Sequence, residues 1–380
     1  MGAGRNSVYL IVGEKVVLKV AFRADASLVI GTGHVMRCLT LADMLRASGV
    51  ECFFLSREHG GHLHSVVKQR GYPLINLGDV ASLHTPNGSA DYEHWLGVSI
   101  EKDIQDSITH LHGMQVDWLI VDHYGLDERW ERALRRHCGR LLVIDDLANR
   151  RHFADILVDQ NFGKNNIDYN GLVPDSCVLM IGAKYALLRH EFAKLRGKSL
   201  KRRAHSQLKN LLITMGGVDI DNKTGLVLRA LAAFKWHSDQ NITVVMGANA
   251  PWLEEVFKQA LEMPVSTDVV VNVADMANLM YNADLAIGAA GSTAWERCCL
   301  GLPTLQLVLA DNQRLIADAL NGVGAAIKLD EANLINCIHK HIGQFSANPA
   351  LLTAMSLAAA QVTDGCGAEL VVNKMKELAA

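Results

Sequence analysis

No C-x-x-C pair and no regular cysteine spacing occur in this sequence, although it holds eight cysteines, at Cys38, Cys52, Cys138, Cys177, Cys298, Cys299, Cys337 and Cys366. A zinc site or a disulfide framework needs such spacing, so the thiols read as reduced side chains of a cytoplasmic protein. Also lacking is any run of about 18 apolar residues, the length a membrane span requires. The early run "VYLIVG" is too short for the core of a signal peptide with its flanks. Charge of one sign is missing too: 37 Lys and Arg face 40 Asp and Glu, a formal net charge of -3. That balance gives no global attraction to nucleic acid or anionic lipid. The partner expected is therefore a small molecule, with neither nucleic acid nor membrane involved.

What is present is a chain of 380 residues in which strand-like and helix-like stretches alternate. Its length exceeds what one core usually supports, so two domains are expected. In the first half, "VVLKVAFRA", "CFFLSR", "DWLIVDHYG", "RLLVIDDLANR" and "ADILVDQN" read as strands, and Val35, Leu39, Ala42 and Leu45 mark one face of a helix. Strand, helix and strand in succession favour a parallel sheet covered by helices. From "NLLITMGG" the alternation restarts through "NITVVMG", "DVVVNV", "LAIGAAG" and "PTLQLVL". Two doubly wound α/β domains facing across a cleft are predicted, with ligands beyond the carboxyl ends of the strands. The boundaries read as an N-terminal extension over 1–14, a first domain over 15–195, a basic solvated linker over 196–208, a second domain over 209–365 and a closing helix over 366–380.

Chemistry concentrates at the strand ends. In "RADASLVIGTGHVMR", Arg23, Asp25, Ser27 and His34 surround the first strand-to-helix turn. His34 follows Gly31 and Gly33 at a helix start, where the dipole disfavours an imidazolium and favours a neutral base. It reads equally as a polar residue at a tight turn. Asp122, His123 and Tyr124 end another strand on the same side, and Asp145, Asp146, Asn149, Arg150, His152, Asp159 and Asn161 close the next two. Asp145 and Asp146 could form a metal pair, but neighbours on a strand point oppositely and no third ligand is fixed by spacing. No metal and no cofactor are expected.

In the second half, Gly216 and Gly217 follow a strand and precede a helix beginning near Asn222 or Lys223. Gly288, Gly291, Ser292, Thr293 and Glu296 repeat that arrangement in "LAIGAAGSTAWERCCLGLP". No lysine is present for an ATP-type P-loop. The turn fits a diphosphate on backbone N–H groups, with Glu296 accepting from ribose hydroxyls. A helix cap with Glu296 serving the helix dipole explains Ser292 and Glu296 as well.

Together "FRADASLVIGTGHVMRCLTLA", "DHYGLDERWE", "IDDLANRRH", "DQN", "YALLRHEF", "ITMGGVDIDNKT" and "GAAGSTAWERCCLGLP" resemble the UDP-sugar hydrolases of pseudaminic acid biosynthesis, from about Lys19 to beyond Asn312. The resemblance implies a GT-B fold like that of the glycosyltransferase adding N-acetylglucosamine in peptidoglycan synthesis. It implies hydrolysis of UDP-2,4-diacetamido-2,4,6-trideoxy-β-L-altropyranose without a metal, by water attack at the anomeric carbon with inversion and C–O cleavage. It further implies that His34 is the base, that Tyr124 and Asn312 belong to the site, and that the second half holds UDP. Arg23, Asp25, Arg150 and the space at Gly33 are then expected on the sugar side. A GT-B glycosyltransferase, a UDP-sugar 2-epimerase and a nucleotide-sugar binding protein without turnover are the competing expectations.

Overall fold

Aliphatic and β-branched runs form the strands of two all-parallel sheets in the computed structural model, which describes residues 18–80, 92–205 and 207–379. The extension expected over 1–14 lies outside the described residues. The first sheet contains β1 (Lys19–Ala24), β2 (Glu51–Glu58), β3 (Leu74–Asp79), β4 (Trp118–Asp122), β5 (Arg140–Ile144), β6 (Ile156–Asp159) and β7 (Val178–Ile181). Their order is β3-β2-β1-β4-β5-β6-β7. The second contains β8 (Asn210–Thr214), β9 (Asn241–Met246), β10 (Ser266–Val271), β11 (Leu285–Ala289), β12 (Thr304–Leu307) and β13 (Ile327–Lys328), in the order β10-β9-β8-β11-β12-β13.

Central strands β4 and β11 are buried along their whole length, because helices cover both faces of each sheet. On one face of the first sheet, Phe22, Phe54 and Ile120 sit in register and pack against Val35, Leu39 and Ala42 of the Gly33–Ala47 helix. The opposite face is filled by Leu55, Leu119, Leu141 and Trp130. Strand order reverses between β1 and β4, and again between β8 and β11. At these two points successive connections leave in opposite directions and open a crevice at the carboxyl edge. The turns after β1, β4, β8 and β11 are therefore the positions the topology offers to a ligand.

The basic stretch expected as a solvated linker over 196–208 is largely helical, from His190 to Arg203. Arg196 donates to the carbonyls of Cys299, Ala360 and Thr363, and Arg203 to those of Met280, Ala283 and Leu300. Apart from Thr363, which follows the last of them, these carbonyls lie at the C-terminal ends of the helices Met276–Asn282, Thr293–Cys299 and Ala350–Ala360, where acceptors lack intrahelical partners and cations are favoured. Arginine heads spent on carbonyls bury like apolar residues, so a helix without apolar periodicity still packs. Ala183, Ala186, Leu188 and Phe192 already belong to the second domain's core, while Tyr185 and Leu187 pack in the first domain's. At the other end, the Gly367–Ala379 helix returns to the first domain, where Ala368, Val371, Val372 and Met375 enter its core.

One buried pair gives the fold a pH signature. His152 Nδ1 lies 2.7 Å from Glu131 Oε1, and Nε2 lies 3.8 Å from Asp145 Oδ1. Burial works against an imidazolium at His152, but the two carboxylates more than offset it and push its pKa up to about 9. A folded value above the unfolded one gives stability fully present below about pH 6.5 and lost as pH rises through about 9. Denaturant melts at pH 6.5 and 9.5 should show this loss, and Glu131→Gln should flatten it. An equal loss in both proteins would overturn the assignment.

Candidate functional site

All four switch-point turns line one cleft between the domains. It has two lobes, of about 360 and 350 Å³. The first is walled by His34, Tyr124, Trp95, Asp146, Asn161 and Asn312. Leu187, Leu188, Val245, Met246, Met276 and Glu296 wall the second, more apolar lobe. Both lobes share Thr32, Gly33, Gly216, Gly217, Ser292 and Thr293. The glycine turns of the two domains thus meet at the waist of the cleft. At that waist a Cβ on Gly33 would come within 3.8 Å of Ser292 Oγ, and one on Gly217 within 3.8 Å of Thr32 Oγ1. Gly31 and Gly216 take φ of +80° and +91°, a conformation that disfavours a side chain.

His34 sits in the first turn of the Gly33–Ala47 helix, with Nδ1 2.6 Å from Asp122 Oδ1 at the end of β4. Arg37, one turn on, clasps Asp122 through Nε at 2.5 Å and Nη2 at 2.6 Å. Burial raises the Asp122 carboxyl's pKa, but Arg37 and His34 outweigh it and hold the group well below the usual carboxylate range. An ionised Asp122 accepts the Nδ1 proton, which leaves Nε2 as the basic nitrogen. Tyr124 donates its hydroxyl to Asp146 Oδ2 at 2.8 Å, and Arg37 Nη1 donates to the same oxygen at 2.5 Å. Burial beside Asp146 raises the phenol's pKa well above its ordinary value, so Tyr124 remains a donor. Trp95 stacks on Tyr124, with centroids 5.4 Å apart, and meets the His34 ring edge-on at 6.2 Å.

Of the expected site residues, His34, Gly33, Tyr124, Asn312, Gly216, Gly217, Gly291, Ser292, Thr293 and Glu296 line the cleft. Four do not. Arg23 and Asp25, expected on the sugar side, are fully buried and paired at 2.7 Å. Arg23 also binds Asp103, and Asp25 accepts from the Arg57 amide, so both are committed beneath the sheet edge. Arg150 instead braces a loop, donating to Asp145 at 2.7 Å and to the Leu126 carbonyl at 2.8 Å. Gly288 lies under the turn, where a Cβ would meet Arg297 Nη1 at 2.8 Å and the Thr214 carbonyl at 2.9 Å. It serves close packing. His123 is buried against Asp25, and its imidazole pKa is pushed down to about 3.

The helix start near Asn222, expected to meet a phosphate, is already capped. Asp219 accepts from the amides of Lys223 and Thr224, each at 2.8 Å, and Asn222 accepts from Gly225 at 2.9 Å. What remains for a ligand there is the backbone at Gly216 and Gly217. The turn at Gly291–Thr293 differs, since Ser292 makes no side-chain cap bond. In the second lobe, burial pushes the Glu296 carboxyl up to about 7 against the opposing charges of Arg189 and Arg297. Sequence reasoning gave no role to Arg37 or Trp95, and weighed Asp146 only as half of a metal pair, whereas it accepts from Arg37 and Tyr124. Arg37 carried a signal, for three residues beyond His34 is the same helix face. Trp95, in the short turn Glu93–Leu96, carried none.

Two doubly wound domains with switch points facing across a cleft define a GT-B fold. The crystal structure of Acinetobacter baumannii MurG superposes with a TM-score of 0.68 at 20% identity, covering 95% of this chain and 99% of that one. Residues 210–369 match the glycosyltransferase family 28 C-terminal domain. The chain is 25% identical over 311 residues to the UDP-2,4-diacetamido-2,4,6-trideoxy-β-L-altropyranose hydrolase of Campylobacter jejuni, covering 82% of this chain and 99% of that protein. It is also 27% identical over 303 residues, 78% of its length, to the uncharacterised protein MJ1062 of Methanocaldococcus jannaschii, of which the match spans 57%. The resemblance read from the motifs therefore extends over most of the chain. Among the described residues no helix is long and apolar enough to cross a membrane.

Proposed function

We propose that the protein hydrolyses UDP-2,4-diacetamido-2,4,6-trideoxy-β-L-altropyranose to UDP and the free diacetamido sugar, a step of pseudaminic acid biosynthesis. The observation that carries this reading is the pair of unlike lobes joined at glycine turns from both domains. Uridine occupies the apolar lobe, where Glu296 accepts from ribose hydroxyls. The diphosphate lies at the waist on the backbone amides of Gly217 and Gly291–Thr293. The sugar enters the polar lobe beside His34, Tyr124 and Asn312, in the space Gly33 leaves open.

Water attacks the anomeric carbon from the His34 side and the C–O bond to UDP breaks, so the configuration inverts. Positive charge develops on the sugar ring and negative charge on the departing phosphate. Amides at the waist stabilise that phosphate. His34 Nε2 takes the proton from water while Asp122 stabilises the resulting imidazolium, a contribution of about 10²- to 10⁴-fold.

A panel of UDP-sugars incubated with the protein in EDTA and followed by proton NMR tests this reading. The expected result is UDP release from the diacetamido substrate, with an inverted anomeric configuration in the first product. Retention, or the absence of UDP release, would sink it. The family 28 C-terminal domain favours one rival, transfer of the sugar to an acceptor hydroxyl. Equal release with and without candidate acceptors would exclude that rival.

A further inference from the structure

Arg37 lines both lobes of the cleft and lies between two carboxylates. Its Nε and Nη2 bracket Asp122 at 2.5 and 2.6 Å, and its Nη1 reaches Asp146 at 2.5 Å. Nη2 also lies 3.4 Å from His34 Nδ1. The same Asp146 oxygen accepts the Tyr124 hydroxyl. One guanidinium thus joins the two aspartates that hold His34 and Tyr124. The planar fork, which lysine lacks, makes all three contacts at once.

We propose that Arg37 is a positioning residue that offsets the charge of Asp122 beside His34 and fixes Asp146 where Tyr124 meets it. The groups facing His34 are Asp122, His123 and Tyr124 at the end of β4, Asp146 after β5, the Trp95 ring, and Arg37 on its own helix. Ser292 and Asn312 line the cleft opposite. Asp122 alone would draw a proton onto the imidazole by direct attraction. Arg37, bound to the same carboxylate, opposes that pull. Its side chain is 8% exposed, so solvent screens the balance weakly.

The inference rests on the reading of His34 as the base, but its test does not need turnover. NMR titration of the His34 ring protons, assigned by their loss in His34→Asn, is compared between wild type, Arg37→Met and Arg37→Gln. Removing the cation should move the titration midpoint up by about one to three pH units. Arg37→Lys, which keeps the charge and loses the fork, should leave the midpoint nearly unmoved. Where hydrolysis is measurable, the acid limb of kcat/KM should follow the midpoint in each variant, and Arg37→Lys should lower kcat without shifting that limb. Calorimetric affinity for UDP should stay within about threefold of wild type in all variants. An unmoved midpoint in the folded neutral variants overturns the proposal, as does a tenfold loss of UDP affinity, which would make Arg37 a ligand of the diphosphate. If Arg37→Met and Arg37→Gln do not fold, a midpoint shift in Arg37→Lys equally overturns it. A moved midpoint with full activity in His34→Asn would uphold the charge balance while removing the catalytic reading.

Discussion

His34→Asn is expected to lower kcat/KM for UDP-sugar hydrolysis by about 10²- to 10⁴-fold while leaving UDP affinity within about twofold. Asparagine is the informative replacement, because its amide can still donate to Asp122 across the position of Nδ1 and spare that buried carboxylate. What it cannot supply is Nε2, the nitrogen turned away from Asp122. The amides proposed to hold UDP lie at Gly217 and Gly291–Thr293, on the other domain, so binding and turnover should separate. Steady-state rates paired with calorimetry make the measurement. Full activity in His34→Asn would remove the proposed base, and equal losses of affinity and rate would place His34 among the UDP ligands instead.

Ending the chain at Gly365 should have the largest effect on stability. The lost segment carries Val371, Val372 and Met375, all buried in the first domain's core, together with Ala368. Each large apolar side chain is worth about 1.5–3 kcal/mol on burial, so the truncation removes on the order of 5 kcal/mol. It also bares the face of the Gly33–Ala47 helix that carries His34 at its start. Against a typical domain stability of about 5–15 kcal/mol, most of the first domain's margin disappears. Calorimetry should show its transition falling sharply, and UDP binding should persist if the second domain remains folded. An unchanged melting profile would mean that the helix contributes little to the core it enters.

The alternation of strands and helices was legible because fully buried parallel strands, such as β4 and β11, read as continuous aliphatic runs. The turn residues His34, Gly216 and Gly291 were legible for a related reason: glycine clusters mark where a strand hands over to a helix. Arg23 and Asp25 show the limit. One pattern of charged residues near a strand end describes a cleft wall and a buried ion pair alike, and only the position of Asp103 on a distant helix decides between them. Asp122 and Asp146 join one network only because β4 and β5 lie side by side, a pairing that spacing along the chain does not record. The His190–Arg203 helix was hidden because its packing relies on arginine-to-carbonyl bonds rather than on an apolar stripe.

The chain passes between the two domains twice, and the passages touch. A Cβ on Gly367 would meet the backbone of Tyr185 and Ala186 at 2.4 Å, so the returning chain packs directly against the outgoing one. Both covalent connections between the domains therefore lie together at one place, and any change in the width of the cleft has to be taken up by backbone there.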